Sequence, residues 1–96
     1  MATQLRDRGI VNLTMAGIDQ FVDLTMASFP ITYTLDPTSG TMTAYFTTDP
    51  AGLDNSAHRS WETGSIGTVT TLTSDVWPGR LAGIKFVGTG NARVMV

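Results

Sequence analysis

The side chains best suited to chemistry lie between residues 48 and 60. His58 is the only histidine of the chain, and Asp54, Ser56 and Ser60 are its near neighbours in sequence. A serine hydrolase uses these three residue types, because the imidazole takes the hydroxyl proton while the carboxylate orients the imidazole. Successive residues of an extended chain point to opposite sides, so close neighbours on one strand form a poor triad. We therefore expect an exposed histidine beside a loop and no catalytic residues, with a small hydrolase as a third hypothesis.

The same segment carries oxygen ligands of the kind that calcium prefers. Asp49, Asp54 and Asn55 have suitable side chains, but their spacing is not that of an EF-hand loop. The chain has no cysteine, which excludes disulfides, thiolate metal sites and cysteine nucleophiles. We expect no metal and no cofactor, and calcium binding in this loop is the alternative.

A Gly-Thr-Gly run, Gly88 to Gly90, invites comparison with nucleotide-binding loops. Those loops use glycines so that backbone amides at the start of a helix can approach a phosphate. Here Arg93 stands where the third glycine would be, and an alternating pattern typical of a strand follows. We predict a tight hairpin turn over Gly88–Asn91.

Three aromatic residues could stack on sugar rings, as flat apolar rings do in carbohydrate-binding modules. Tyr45 and Trp77 are the candidates, whereas Trp61 lies in an alternating segment that favours the core. An exposed, coplanar arrangement of Tyr45 and Trp77 would favour a carbohydrate-binding module.

Charge and hydropathy exclude two classes of partner. The chain has 96 residues, 15% of them charged, and a net charge of -2. Its six basic residues, only one a lysine, are scattered and form no cluster of the kind that binds nucleic acid. No apolar stretch has the length of a membrane span or follows the N-terminal arginines as in a signal peptide. We expect neither a nucleic-acid nor a membrane partner.

The elements that must position these residues are strands. Threonine and glycine make up about a quarter of the chain and favour strands and turns over helix. Alternation of apolar and polar residues predicts eight strands. They span residues 11–15, 18–26, 31–35, 42–47, 58–63, 66–73, 81–87 and 92–96. Segment 18–26 also fits a helical stripe, but Asp23 and Thr25 favour a strand.

Turn residues separate these strands. Asp36-Pro37-Thr38-Ser39-Gly40 predicts a β-hairpin between 31–35 and 42–47. Residues 48–56 are rich in helix and strand breakers and predict an exposed loop. The threonine-rich segment 66–73 is typical of an edge strand. We predict one domain over residues 1–96, an all-β fold built as a single antiparallel β-sandwich, jelly-roll-like or Ig-like, of about eight short strands.

The predicted outer surface is neutral and rich in hydroxyl groups. Met95 should be exposed on the last strand, and few lysines guard the strand edges. Weakly charged surfaces of this kind are consistent with a subunit that packs against copies of itself or other proteins, and a solitary domain is the alternative. The outward positions are Thr32, Thr34, Thr43, Thr47, Thr68, Thr70, Thr71 and Thr73.

The C-terminal half, residues 61–96, resembles small β-sandwich virion proteins of tailed bacteriophages. The matching features are a tryptophan-bearing strand, a threonine-rich strand, a turn, a strand leading to a Gly-x-Gly hairpin, and a last strand. The residues that carry them are Trp61, Thr68–Thr73, Gly79, Ile84–Val87, Gly88, Gly90 and Ala92–Val96.

That resemblance implies a role in assembly. Proteins of this kind supply head decoration, neck or tail adaptors and fibre bases, so the resemblance implies no catalytic residue. We therefore expect a non-enzymatic virion subunit, a homo-oligomer that packs against other virion proteins. Tyr45, Trp77 and Met95 are the expected partner-contact residues, and the alternative is a small carbohydrate-binding module.

Overall fold

The computed structural model describes residues 2–6 and 9–96, and this part of the chain folds as strands. The eight strands are β1 Thr3–Gln4, β2 Ile10–Ala16, β3 Gln20–Asp23, β4 Ile31–Asp36, β5 Met42–Thr47, β6 Glu62–Val69, β7 Thr73–Trp77 and β8 Gly83–Met95. Within the described residues the only helix is a 3-10 turn at Pro50–Gly52. The same residues contain no helix that could span a membrane. The all-β prediction is confirmed.

The strands form one connected, mixed sheet in which β8 is the central element. Its first part, from Gly83 to Gly88, pairs with β3 and β5. Its second part, from Thr89 to Met95, pairs with β2 and β4. We call these the first half and the second half of the sheet; β1 and β6 extend the first half, and β7 extends the second. All pairs are antiparallel except that of β1 with β3, so the predicted purely antiparallel arrangement is wrong.

The prediction of a hairpin turn at Gly88–Asn91 is wrong, because β8 continues through these residues. Gly88 and Gly90 have φ angles of 129° and 103°, which L side chains rarely adopt. A Cβ on Gly88 would collide with the Thr41 carbonyl, and one on Gly90 with the Asp36 carbonyl. The glycines therefore let β8 pass close to the 36–41 turn as it exchanges one set of partners for another.

The predicted hairpin between 31–35 and 42–47 is also wrong, although both strands and the turn between them exist. β4 pairs with β7 and β8, whereas β5 pairs with β6 and β8. The Gly40 amide donates to the Pro37 carbonyl at 3.1 Å and closes the turn. The turn thus sends the chain from one half of the sheet to the other.

Two predicted strand boundaries differ in the segment after the 48–56 loop. Residues 58–60 form a turn and the strand begins at Glu62, so Trp61 precedes it. The predicted edge strand over 66–73 is divided between β6 and β7, each of which pairs with a single neighbour. The edge position is therefore confirmed for both pieces.

One hydrophobic core joins the two halves. The Phe46 ring of the first half lies 5.2 Å from the Tyr33 ring in an edge contact and 4.3 Å from the Trp77 ring in a stacked one. Both of those partners belong to the second half. Burying such large rings contributes more than their area alone suggests. The most deeply buried core residues are Leu5, Val22, Leu24, Ile31, Tyr33, Leu35, Met42, Ile84, Phe86 and Val94.

Candidate functional site

Each half of the sheet has an outward face with a single cation near its centre. In the first half, residues in register across the strands place Phe21, Lys85, Tyr45 and Thr63 side by side. We call this the Lys85 face. In the second half, Asn12, Arg93, Thr34 and Ser74 lie side by side in the same way. We call this the Arg93 face.

The Lys85 face is covered by the chain's own 48–61 loop. Although lysine is seldom buried, Lys85 is only 6% exposed. Its ammonium donates to the Ser56 carbonyl at 2.9 Å and lies 4.5 Å and 5.3 Å from the ring centroids of Tyr45 and Trp61. Cation–π contacts and a hydrogen bond to a carbonyl compensate the lost hydration of the ammonium.

Electrostatics at Lys85 follow from this enclosure. Desolvation lowers the pKa of the Lys85 ammonium, and the attraction of the Asp19 carboxylate opposes that shift. The Ser56 hydroxyl donates to Asp19 and also contacts the Lys85 ammonium at 3.3 Å. The cation is therefore occupied in holding the loop and is not presented to an external ligand.

His58 belongs to the base of the same loop. Its Nδ1 lies 2.8 Å from the Ser60 hydroxyl, which in turn lies 2.5 Å from the hydroxyl of buried Thr47. Its Nε2 lies 4.0 Å from the Asp49 carboxylate. The histidine thus meets a serine and an acid, but the acid is Asp49 and not the Asp54 considered from the sequence.

This arrangement closes the loop and lacks the form of a catalytic triad. The Ser60 amide donates to His58 Nδ1 at 3.2 Å, so that nitrogen is an acceptor engaged at both the amide and the hydroxyl. The Ser60 hydroxyl faces inward, because a Cβ on buried Gly52 would lie 2.9 Å from it. The Ser60 hydroxyl is therefore engaged within the loop by Thr47 and His58.

The described residues offer no metal centre. Among them, no group of three or more histidine or acidic side chains comes together in a way that could hold an ion. Asp49 instead accepts a hydrogen bond from the Ala51 amide at 2.9 Å and caps the 3-10 turn, while Asn55 accepts one from the Ala57 amide at 3.3 Å. The loop uses these side chains to organise its own backbone.

The Arg93 face carries no loop of the described chain and is bare. Its outermost row runs across the four strands as Ile10, Met95, Thr32 and Val76. Ile10 is 58% and Val76 52% exposed, and Leu72, just before β7, is 67% exposed. A shallow groove of about 590 Å³ follows the polar rows beside them. Exposed apolar side chains around a polar centre are typical of a protein-interaction surface.

The polar residues of the Arg93 face bond to one another. Arg93 Nε donates to the Asn12 side-chain oxygen at 2.9 Å, and the Thr34 and Ser74 hydroxyls lie 2.9 Å apart. In the next row the Thr14 hydroxyl donates to the Asn91 side chain at 3.1 Å. These ladders keep the face flat and hold Arg93 in place.

The three residues predicted to contact a partner lie in three different places. Tyr45 lies under the Lys85 ammonium, Trp77 stacks on Phe46 on the inner side of the sheet, and Met95 lies half-buried on the Arg93 face. Tyr45 and Trp77 therefore form no common platform. Trp61, predicted to be in the core, is half-buried on the outside, 5.9 Å from the Phe21 ring.

The predicted threonine surface is only partly exposed. Thr47 is only 2% exposed because the loop covers it. Thr43 is 8% exposed, and its hydroxyl lies 2.7 Å from that of Thr68. Sequence reasoning missed Arg93, Asp36 and Leu72 as surface residues of interest. The alternation of charged or polar with apolar residues in β8 and β4 was the signal that could have placed Arg93 and Asp36 on one face.

Comparison of the chain with protein-family models, with curated proteins and with solved structures found no match.

Proposed function

We propose that this protein is a non-enzymatic structural subunit of a tailed-phage particle and that it acts by packing its Arg93 face against another protein. The observation that carries the proposal is the contrast between the two faces. The chain covers Lys85 with its own loop but leaves Ile10, Val76 and Leu72 exposed on the opposite half. Covering a large exposed apolar side chain with a partner is favourable, because it removes apolar surface from water. The phage assignment itself rests on the resemblance of residues 61–96 in sequence alone, because β8 runs through the expected Gly-x-Gly hairpin and Trp61 precedes its strand.

We also propose that the two halves of the sheet stack as the layers of a β-sandwich. The ring contacts of Phe46 with Tyr33 and Trp77 support this arrangement, because they join inward-facing residues of both halves. Sandwiches of this kind present flat outer faces, which suits lateral packing in a shell or a ring.

Docking by the face fits better than pairing by the edge. β7 is an edge strand, and an open edge normally invites another strand. Here the Asp75 side chain accepts from the Val76 amide at 2.8 Å, and the Thr73 hydroxyl donates to the Thr71 carbonyl at 2.9 Å. These side chains satisfy backbone groups next to and within β7 that a new strand would need.

Sugar binding is the less favoured function. The predicted platform of Tyr45 and Trp77 does not form, and the polar side chains of the groove already bond to one another. A glycan would have to replace those bonds without an aromatic ring to stack on.

Particle association tests the proposal directly. Particles of the phage that encodes the chain, purified on a density gradient, should contain its peptides in a fixed ratio to the major capsid or tail protein. Leu72→Asp should reduce incorporation, whereas Ile18→Asp should not, because Ile18 is 71% exposed in the turn after β2 and lies off the Arg93 face. A chain confined to the soluble lysate would overturn the proposal.

A further inference from the structure

The Arg93 face has opposite charges placed so that a second copy of the same face can satisfy them. Asp36 lies directly across from Asn91, and Arg93 is two residues farther along β8. The two side chains therefore share the face one strand and one row apart, about 8 Å on the diagonal. No ion pair joins them within the described part of the chain.

We infer that the partner of this face is a second copy of the chain, docked about a two-fold axis that passes between Arg93 and Asp36. This inference rests on the proposed function, of which it names the partner. In such a pair the Arg93 guanidinium of each copy meets the Asp36 carboxylate of the other. A two-fold interface makes every contact twice, so one complementary pair of residues gives two ion pairs.

The same rotation also matches one apolar pair. Thr73 lies opposite Leu35, so Leu72 is level with Asp36 at the far edge of the face. The two-fold axis lies in the plane of the interface and bisects the line from Arg93 to Asp36. With strands about 4.8 Å apart and about 3.4 Å per residue, this axis brings Met95 over Leu72 of the second copy. One operation thus pairs the charges and also places exposed Leu72 over half-buried Met95, which supports self-complementarity.

The size of the face sets the expected strength. Four strands of five to seven residues give a flat face of roughly 400 Å². A standard stable interface uses about 800 Å² from each partner. The isolated pair should therefore be weak, with a Kd on the order of 100 μM, and further contacts in a particle would have to stabilise it.

Charge reversal with rescue tests the arrangement. Sedimentation equilibrium of the purified chain up to about 1 mM should show a monomer–dimer equilibrium. Arg93→Asp and Asp36→Arg should each weaken it at least 10-fold, because each opposes like charges twice, and the double variant should return to within about 3-fold of the natural chain. Matching melting temperatures would show that all variants are folded. Equal dimerisation in all four proteins would overturn the inference, and so would a double variant no better than the singles.

A second experiment uses the absence of cysteine. Thr34 lies close to the axis, so a single Thr34→Cys variant should place two thiols opposite each other across the interface. A short, flexible bismaleimide that reaches up to about 10 Å should link them, since packed sheets lie that far apart and the two thiols lie between them. Thr63→Cys is the control, because Thr63 is an exposed strand threonine of the Lys85 face, away from the proposed interface. Equal linking of both variants would contradict the axis.

The outcomes separate this inference from the proposed function. A chain that is incorporated into particles but strictly monomeric at 1 mM would overturn the inference and leave the proposed function standing. A chain that dimerises through Arg93 and Asp36 but is absent from particles would overturn the proposed function and support the inferred dimer. A monomer that binds a glycan from a panel, and loses it on Arg93→Asp, would assign the face to sugar recognition and overturn both.

Discussion

The two outward faces of the sheet differ in whether the rest of the chain covers the basic residue at their centre. Each has one basic residue at its centre, but Lys85 is buried beneath a loop and two aromatic rings, whereas Arg93 lies on an open surface beside Asn12. The loop fits because Gly83 leaves room for Leu53, whose side chain occupies the space a Cβ would need. Where the chain supplies its own cover the cation is buried and makes internal contacts, and where it does not the cation is exposed.

This contrast teaches that residue type alone does not tell which side chains are engaged inside the molecule. Aromatic side chains, a lysine, a histidine and several acids all gather at the Lys85 face, yet each has an internal contact there. The Arg93 face has less reactive chemistry, but it carries the exposed side chains of Ile10, Val76 and Leu72. Side chains that look reactive in the sequence are therefore already bonded to other residues of the same chain.

The crossing of β8 is the feature on which both faces depend, so its disruption should have the largest effect. Gly90→Ala should lower the free energy of unfolding by about 3 kcal/mol or more, because the new Cβ meets the Asp36 carbonyl in a backbone conformation that alanine disfavours. Gly17→Ala is the control: its φ is also positive, at 79°, but open space surrounds it, so about 1 kcal/mol is expected. Equal losses in urea denaturation would show that β8 tolerates rearrangement at the crossing.

The strands were predictable from sequence because alternation is a local signal. It correctly placed β2, β4 and β5 and favoured a strand around β3. Pairing was not predictable in the same way, because the 36–40 turn has the chemistry of a hairpin whether or not its flanking strands pair. Gly88 and Gly90 likewise fit a tight turn and a close crossing equally well, since both require positive φ.

The candidate site was less predictable than the fold. Met95 was expected at a contact surface and lies on the Arg93 face, but Tyr45 and Trp77 became internal because of pairings far apart in sequence. Lys85 alternates with Ile84 and Phe86 and so belongs on the opposite side of the strand. Nothing local shows that residues 48–61 fold back over it.

Alkaline titration tests the core beneath the Arg93 face. Tyr33 is 1% exposed, and burial, followed by repulsion from Asp75 and the hydrogen bond to it, raises its pKa to about 12. Since the unfolded chain ionises near pH 10 and the folded one near 12, this tyrosine stabilises the fold fully below pH 10, and that contribution is lost as the pH rises to 12. The loss should reach about 2 to 3 kcal/mol.

The Tyr33→Phe variant isolates that contribution. It removes the ionisable hydroxyl and keeps the edge contact with Phe46, so its stability should change less between pH 10 and 12 in urea titrations. An identical loss of stability in the variant would assign the effect to other groups. It would also contradict the view that the core beneath the Arg93 face is closed to water.

Matched substitutions of the two cations compare the faces directly. Lys85→Met should lower the free energy of unfolding by about 1 to 3 kcal/mol, because the Ser56 carbonyl loses its donor and the Tyr45 ring loses its cation. Arg93→Met should change it by less than about 0.5 kcal/mol, since Arg93 is exposed. Thermal and urea unfolding of the monomer at low concentration would measure both. Equal effects would mean that the loop contributes nothing to the Lys85 face.

The smallest expected effect concerns the base of the loop. Ser60→Ala removes the hydroxyl that links Thr47 to His58 Nδ1, which should cost about 1 kcal/mol. Because this bond lies within the loop, the cost should appear as local opening rather than global unfolding. Arg59 is exposed next to it, so tryptic cleavage after Arg59 should accelerate about 5-fold while the melting temperature changes little. Ser65→Ala, on an exposed position of β6, should leave the cleavage rate unchanged. If both variants are cleaved at the natural rate, the loop is held by Lys85 and Trp61 alone, and the cover over the first half depends on the cation more than on the hydroxyl network.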